Sequence, residues 1–208
     1  MDILTLPLGP LGTNCYIVAD PAGTAAVIDP GGDADQVLRT LADRQWRATH
    51  ILLTHAHFDH IGAVAELHTA LSLPVALHPL DLPLYRSGGG GRNYGLTFEI
   101  GPDPAIALDA IATVAVGDLS FEVLFVPGHT VGHVAFYEHG HNAVFSGDVL
   151  FEDGIGRTDL PGGSYATLME SIRQQLLTLP DDTAVYPGHG PATTIGRERR
   201  QNPFLATD

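Results

Sequence analysis

Residues 54–60 read THAHFDH, which crowds three histidines and an aspartate into seven positions directly behind the apolar run Ile51–Leu53. Imidazole nitrogens and carboxylate oxygens are the donors that borderline divalent cations take. One histidine here would read as part of a polar loop; four donors at the end of a buried strand read as a metal site. His55 and His57 alternate, so both can face one ion, while Asp59 and His60 are offset enough to serve a second. Three later segments share one grammar, an apolar strand, a small turn and then a donor: FVPGHT supplies His129, VFSGDV supplies Asp148 and VYPGHG supplies His189. Such gathering is what metal binding needs, because one ion takes about four to six donors and a single loop seldom offers them. His129 would complete the first site, His189 the second, and the Asp148 carboxylate can bridge both. Seven donors suit two ions, with a water or hydroxide in the shared position.

These residues need a scaffold that delivers strand ends to one place. Short Val- and Ile-rich segments alternate with segments of helical period, the pattern of strands interleaved with helices. NCYIVAD, AAVIDPGG, ATHILLT, PVALH, SFEVLFVPG, HVAFYE, NAVFSGD and TAVYPG read as strands. DADQVLRTLADR reads as a helix with Asp33 as its N-cap, IGAVAELHTAL as a second, and SYATLMESIRQQLLTL as a third, capped by Ser164. The histidine cluster therefore lies on a strand-to-helix loop. The chain reads as one domain over 1–208, interrupted by YRSGGGGRNYGLTFEIGPDP (Tyr85–Pro104), whose four consecutive glycines predict a mobile loop or partial lid. ALSLPVALHPLDLPL reads as core and connection.

Composition narrows the function classes. A formal net charge of -14 with ten Lys and Arg argues against nucleic acid as a partner. Bound divalent cations would offset part of that charge. The start, MDILTLPLGPLG, has no basic region or cleavage site, and no apolar run approaches the roughly 20 residues of a membrane span, so the expectation is a protein without a membrane partner. Cys15 is the single cysteine, which fits a cytoplasmic setting, and it reads as a small buried apolar residue rather than a nucleophile. His50, His68, His78, His139 and His141 have no partner motif and read as ordinary surface or core residues. His133 is either a support for the ligands or an ordinary histidine, and Asp29 either orients a ligand from behind or serves only as a turn residue.

THAHFDH, PGHT, SGD and PGHG, in this order and over nearly the whole chain, resemble the metallo-beta-lactamase superfamily. GIGRTDLPGG (Gly154–Gly163) makes the chain similar to the glyoxalase II-like hydrolases within it. The resemblance implies an α/β fold, an αβ/βα four-layer sandwich of two mixed sheets flanked by helices, with metals at the sheet edges. It also implies His55, His57 and His129 at metal 1, Asp59, His60 and His189 at metal 2, and Asp148 at both. The implied reaction is hydrolysis of a hydroxyacylglutathione-type thioester by a metal-bridging hydroxide, which Asp59 orients and whose proton it can carry away. Zinc is the first expectation for the two ions, with iron or manganese as alternatives.

Two departures bear on the substrate. Glyoxalase II carries a C-terminal helical domain that helps to grip glutathione, whereas here only residues 190–208 follow the last donor, and TIGRERRQNPF can make one helix. Arg157 corresponds to the family's basic residue, but the aromatic that often follows two places later is Asp159. Arg157 is expected to hold an anionic group of a small-molecule thioester, against the alternative of a structural pairing with Asp153 or Asp159. Rival functions are a mono-iron dioxygenase acting on glutathione persulfide and a non-catalytic metal-binding or redox-partner module. A β-lactamase is disfavoured by the missing export signal, and a nuclease by charge.

Overall fold

In the computed structural model, which describes residues 1–109 and 111–205, the first sheet begins with β1 (Asp2–Leu8), β2 (Thr13–Ala19) and β3 (Thr24–Ile28), paired antiparallel. Helix α1 (Ala34–Arg44) then crosses over to β4 (Arg47–Leu52), parallel to β3. The short helix α2 (Phe58–Ile61) and α3 (Val64–Leu71) lead to β5 (Val75–Leu77), also parallel, and α4 (Leu82–Arg86) precedes the edge strand β6 (Ile106–Ala107). The second sheet starts as an antiparallel meander of β7 (Thr113–Val116), β8 (Leu119–Phe125), β9 (Val134–Glu138) and β10 (Ala143–Gly147). A small hairpin of β11 (Leu150–Phe151) and β12 (Gly154–Ile155) follows, then α5 (Tyr165–Ser171). The sheet is completed by β13 (Ala184–Pro187), parallel to β10, and β14 (Thr193–Thr194), before the terminal helix α6 (Ile195–Gln201).

The side chains of β2 explain the layering. All seven residues are buried, so both faces of the strand are covered. Cys15 and Ile17 face α1 and α3, packing with Val37, Leu41, Val64 and Leu67. Tyr16 and Val18 point the other way, against Phe121, Phe136 and Phe145 of the second sheet. The outer side of that sheet, including Val144 and Val185, is covered by Leu168, Met169 and Ile195 from α5 and α6. Helix, sheet, sheet and helix thus form the four layers.

Several local details differ from expectation. β1 and β7 are full strands that sequence periodicity did not mark, because each lies near an edge with only part of its side chains buried. Asp33 occupies the N-cap position of α1, but in a left-handed conformation, and its carboxylate accepts from the Gly9 N–H at 2.8 Å instead of capping the helix. Ser164 does cap α5, accepting from the Thr167 N–H at 3.3 Å, yet the helix widens into a π-turn over Ile172–Leu176. The glycine-rich stretch after α4 holds Gly88, Gly89 and Gly90 at positive φ, and the Gly89 carbonyl accepts from the Phe58 N–H at 3.0 Å. That segment is therefore bonded to the histidine loop.

Phe145 is 1% exposed and sits 5.2 Å from each of the Tyr16 and Tyr186 rings, two residues before the turn that delivers Asp148. Phe145→Ala should cost about 3–5 kcal/mol in chemical denaturation, the range for truncating a core aromatic. Phe125→Ala, at a ring 42% exposed, should cost less than about 1.5 kcal/mol.

Candidate metal centre

β10 and β13 are neighbours in the second sheet and β4 lies in the first; the loops after these three strands, with the β8–β9 loop, carry the donors. The structure brings together all seven residues singled out by type and spacing. His55 Nε2 lies 3.1 Å from His57 Nδ1, which lies 2.8 Å from His129 Nε2. His189 Nε2 lies 3.1 Å from Asp59 Oδ2, and His60 Nε2 lies 3.5 Å from the same oxygen. Asp148 stands between the two groups: its Oδ1 is 3.4 Å from His60 Nε2, and its Oδ2 is 3.6 Å from His129 Nε2 and 3.7 Å from His189 Nε2.

The outward-facing hydrogen bonds decide which nitrogens offer lone pairs. His129 Nδ1 is 2.8 Å from the Arg157 carbonyl, which can only accept, so Nδ1 carries the proton and Nε2 is bare. Thr54 Oγ1 donates to Asp29 Oδ2 at 2.6 Å and accepts from His55 Nδ1 at 3.0 Å, which leaves His55 Nε2 bare as well. His60 Nδ1 donates to Asp29 Oδ2 at 2.9 Å, so its Nε2 also faces inward without a proton when the ring is neutral. Asp29 is thus both a turn residue, at φ 50°, and the orienter of a candidate ligand. It groups geometrically with His55 and His60, but its oxygens are already taken by Thr54 and His60, so it supports donors rather than adding one.

Electrostatics point the same way. Burial, reinforced by His60 and the other imidazoles, pushes His55 well below the ordinary histidine range, and burial with His129 brings His57 down to about 4. Burial alone would raise Asp59, but His60 and the bond from His189 outweigh it and hold the carboxyl at about 2. Asp148 is likewise drawn far down, His60 overcoming the effect of burial. For His60, burial opposes a charge, yet Asp148, Asp59 and Asp29 together raise its affinity for a positive charge. A field that favours a proton there also favours a cation. His60 Nε2 and Asp148 Oδ1 are buried polar atoms with no hydrogen-bond partner, an arrangement that costs free energy unless something positive binds both. Gly188 keeps the space open, since a Cβ there would fall 2.1 Å from Asp148 Oδ1 and 2.8 Å from His60 Cε1. The donor set, the bare nitrogens and the orphaned atoms fit a pair of divalent cations.

Supporting contacts come from residues of several kinds. His133 Nε2 accepts from the Asp148 N–H at 3.1 Å, and its ring stacks 4.6 Å from His55, so it supports the candidate ligands. Thr13 Oγ1 donates to Asp59 Oδ2 at 2.9 Å, while Asn14 and Tyr16 bond the Pro187 carbonyl at the foot of the His189 loop. Asp81 lies in the Leu-rich stretch that reads as core and connection in the sequence, yet it is fully buried and bonded to both histidine loops. An acid inside an apolar run was the available signal. His50, His68 and His78 bond close neighbours in sequence, His139 bonds Glu122, and His141 bonds Glu138 and the Met1 amino group; none of them bonds a candidate ligand. Cys15 is buried, and burial raises its thiol.

A cleft of about 420 Å³ opens over the donors, its walls including Leu11, Phe58, Tyr94, Phe151 and Leu160. Tyr94 comes from the glycine-rich segment, with its ring 5.2 Å from that of Phe58. Arg157 lies on the rim and makes a bidentate pair with Asp159 at 2.7 and 2.8 Å, both side chains more than half exposed. Asp153 pairs instead with Arg197.

Comparison with known proteins agrees with this geometry. The chain is 39% identical to the hydroxyacylglutathione hydrolase GloC of Haemophilus influenzae, over 99% of this chain and 98% of that one. Among solved structures, the BLEG-1 B3 metallo-beta-lactamase superposes with a TM-score of 0.93 at 40% identity, covering 99% and 100% of the two chains. TTHA1623 in a di-iron-bound form superposes at 0.90 with 47% identity, covering 97% and 100%. The family model of the metallo-beta-lactamase superfamily matches residues 8–189, from the end of β1 to the last donor, and the chain belongs to that superfamily.

Proposed function

We propose that this protein is a binuclear metal-dependent thioester hydrolase of the hydroxyacylglutathione type. The observation that carries the proposal is the placing of Asp148 between two three-residue donor groups. In this reading His55, His57 and His129 hold one divalent ion, Asp59, His60 and His189 hold the other, and Asp148 touches both. Likeness to GloC supports the thioester, and the di-iron form of TTHA1623 keeps iron beside zinc as the resident metal. When bound, the ions supply a water of lowered pKa and positive charge where an oxyanion develops.

The side chains have separate tasks. Asp59, ionised throughout the neutral range and held by Thr13 and His189, orients the attacking water and accepts its proton. A thiolate leaves without needing a strong acid, which suits a cleft whose other walls are apolar. Arg157 is the guanidinium that lines the cleft, and an anionic arm of the substrate would take over its fork from Asp159. An ion pair this exposed adds little stability, so exchange of partner is inexpensive. The likeness to BLEG-1 favours a second substrate, a β-lactam, on the same donors. Side-by-side turnover of a glutathione thioester and a cephalosporin, with oxygen uptake recorded, tests the assignment; oxygen consumption without hydrolysis would sink it.

Metal analysis after dialysis should find two equivalents per chain, with Asp148→Ala weakening both sites and His189→Ala depleting chiefly the second. One equivalent in the saturated wild type would refute the binuclear scheme. Asp59→Asn keeps the shape but loses the charge, so kcat should fall by a factor on the order of 100 while KM changes little. Arg157→Ala should raise KM roughly tenfold or more for a carboxylate-bearing thioester and leave an uncharged thioester unaffected. Equal losses on both substrates would make Arg157 structural.

A further inference from the structure

The three nitrogens of the first donor group come from two loops that are distant in sequence, 55–57 after β4 and 129 after β8. Their spacing of 2.8 to 3.1 Å depends on how those loops are held together. Asp81 joins them. Its Oδ2 accepts from the Ala56 N–H at 3.0 Å, on the residue between His55 and His57, and from Thr130 Oγ1 at 2.8 Å, on the residue after His129. Its Oδ1 accepts from the Gly132 N–H at 2.7 Å. The side chain is 0% exposed and, among the described residues, has no ion-pair partner. A buried carboxylate without a cation is costly.

The chemistry of the three donors explains why an acid is needed. Two of them are backbone N–H groups, one at each oxygen, and only a carboxylate presents acceptors on both sides. An amide of the same shape would turn its NH₂ toward one of these N–H groups. Close approach is built in on the other side too: a Cβ at Gly132 would lie 2.6 Å from Asp81 N and 2.7 Å from Asp81 Oδ1. Asp81 is itself anchored, its N–H donating to the His78 carbonyl at 3.0 Å at the end of β5, beside β4 in the first sheet. It ties a rigid strand end to both histidine loops at once.

We infer that Asp81 is a positioning residue for the first metal site, holding His57 and His129 at the separation one cation requires. The inference rests on the reading of His55, His57 and His129 as cation ligands, and the test separates the two. Zinc affinity is measured against a chromophoric chelator in two backgrounds, His189→Ala to isolate the first site and His129→Ala to isolate the second. Adding Asp81→Asn should weaken the first site by about ten- to hundredfold, the usual effect of losing an outer hydrogen-bond partner, and leave the second within about twofold. Equal weakening of both sites, or unchanged affinity at the first, would overturn the role of Asp81. If Asp81→Asn does not fold, Thr130→Val removes one of the three bonds; it should weaken the first site alone by at least about threefold, and no change there would be equally fatal. A His189→Ala protein that takes up no zinc at all would instead overturn the ligand assignment.

Discussion

Seven electron-rich groups converge in a largely buried space at the foot of the cleft, and the rest of the molecule is arranged around making that tolerable. Ring nitrogens of His55, His57 and His129 face one another at 2.8 to 3.1 Å, and two ionised carboxylates stand near them. In a low-dielectric setting such crowding is strongly unfavourable unless positive charge is supplied. The orphaned His60 Nε2 and Asp148 Oδ1 mark where that need is greatest. Stability spent on this cluster has to be recovered from the packed layers on either side of each sheet.

Rigidity reaches the cluster through outer hydrogen bonds rather than through the donors themselves. Asp29 holds His60 directly and His55 through Thr54, the Arg157 carbonyl holds His129, and His133 holds the Asp148 backbone. Each bond also selects a tautomer, so geometry and electronic readiness are settled together. Asp29, Thr54 and His133 lie next to strand ends and the Arg157 carbonyl on the loop beyond β12, whereas several of the cleft walls come from turns. Leu11 sits on the β1–β2 turn, Tyr94 on the glycine-rich segment and Leu160 on the loop beyond β12. Chemistry is thereby tied to the sheets, and substrate contact to the connections.

The terminal helix contributes to that division. Glu198 is fully buried in α6 and accepts from Thr193 Oγ1, Asn202 Nδ2 and the Asp153 N–H, while Asn202 reaches the Gly154 carbonyl. These bonds hold the β11–β12 hairpin, which places Phe151 in the cleft wall and leads into the segment carrying Arg157. The one helix that TIGRERRQNPF can form therefore braces the rim of the cleft from behind.

The donor residues were legible in the sequence because their chemistry is local. Three histidines and an aspartate at a strand end, and three further strand–turn–donor segments, declare themselves by residue type and by the apolar run before them. The alternation of strands and helices was legible too, whereas the four layers were an implication of the family resemblance. What one dimension does not carry is which groups meet. Asp81 lies in a Leu-rich stretch and looks like connection; its role exists only because β5 ends beside β4, which brings its carboxylate to Ala56, Thr130 and Gly132 at once. Asp33 has the residue type of a helix cap, but the nearby Gly9 N–H claims its carboxylate. The choice between Asp153 and Asp159 as partner of Arg157 also waited for the fold, since Arg197 on α6 takes Asp153. Residue type and spacing determined which atoms can bind a cation; tertiary structure decided what holds them in place, because their separations and hydrogen-bond partners depend on chain segments far apart in sequence.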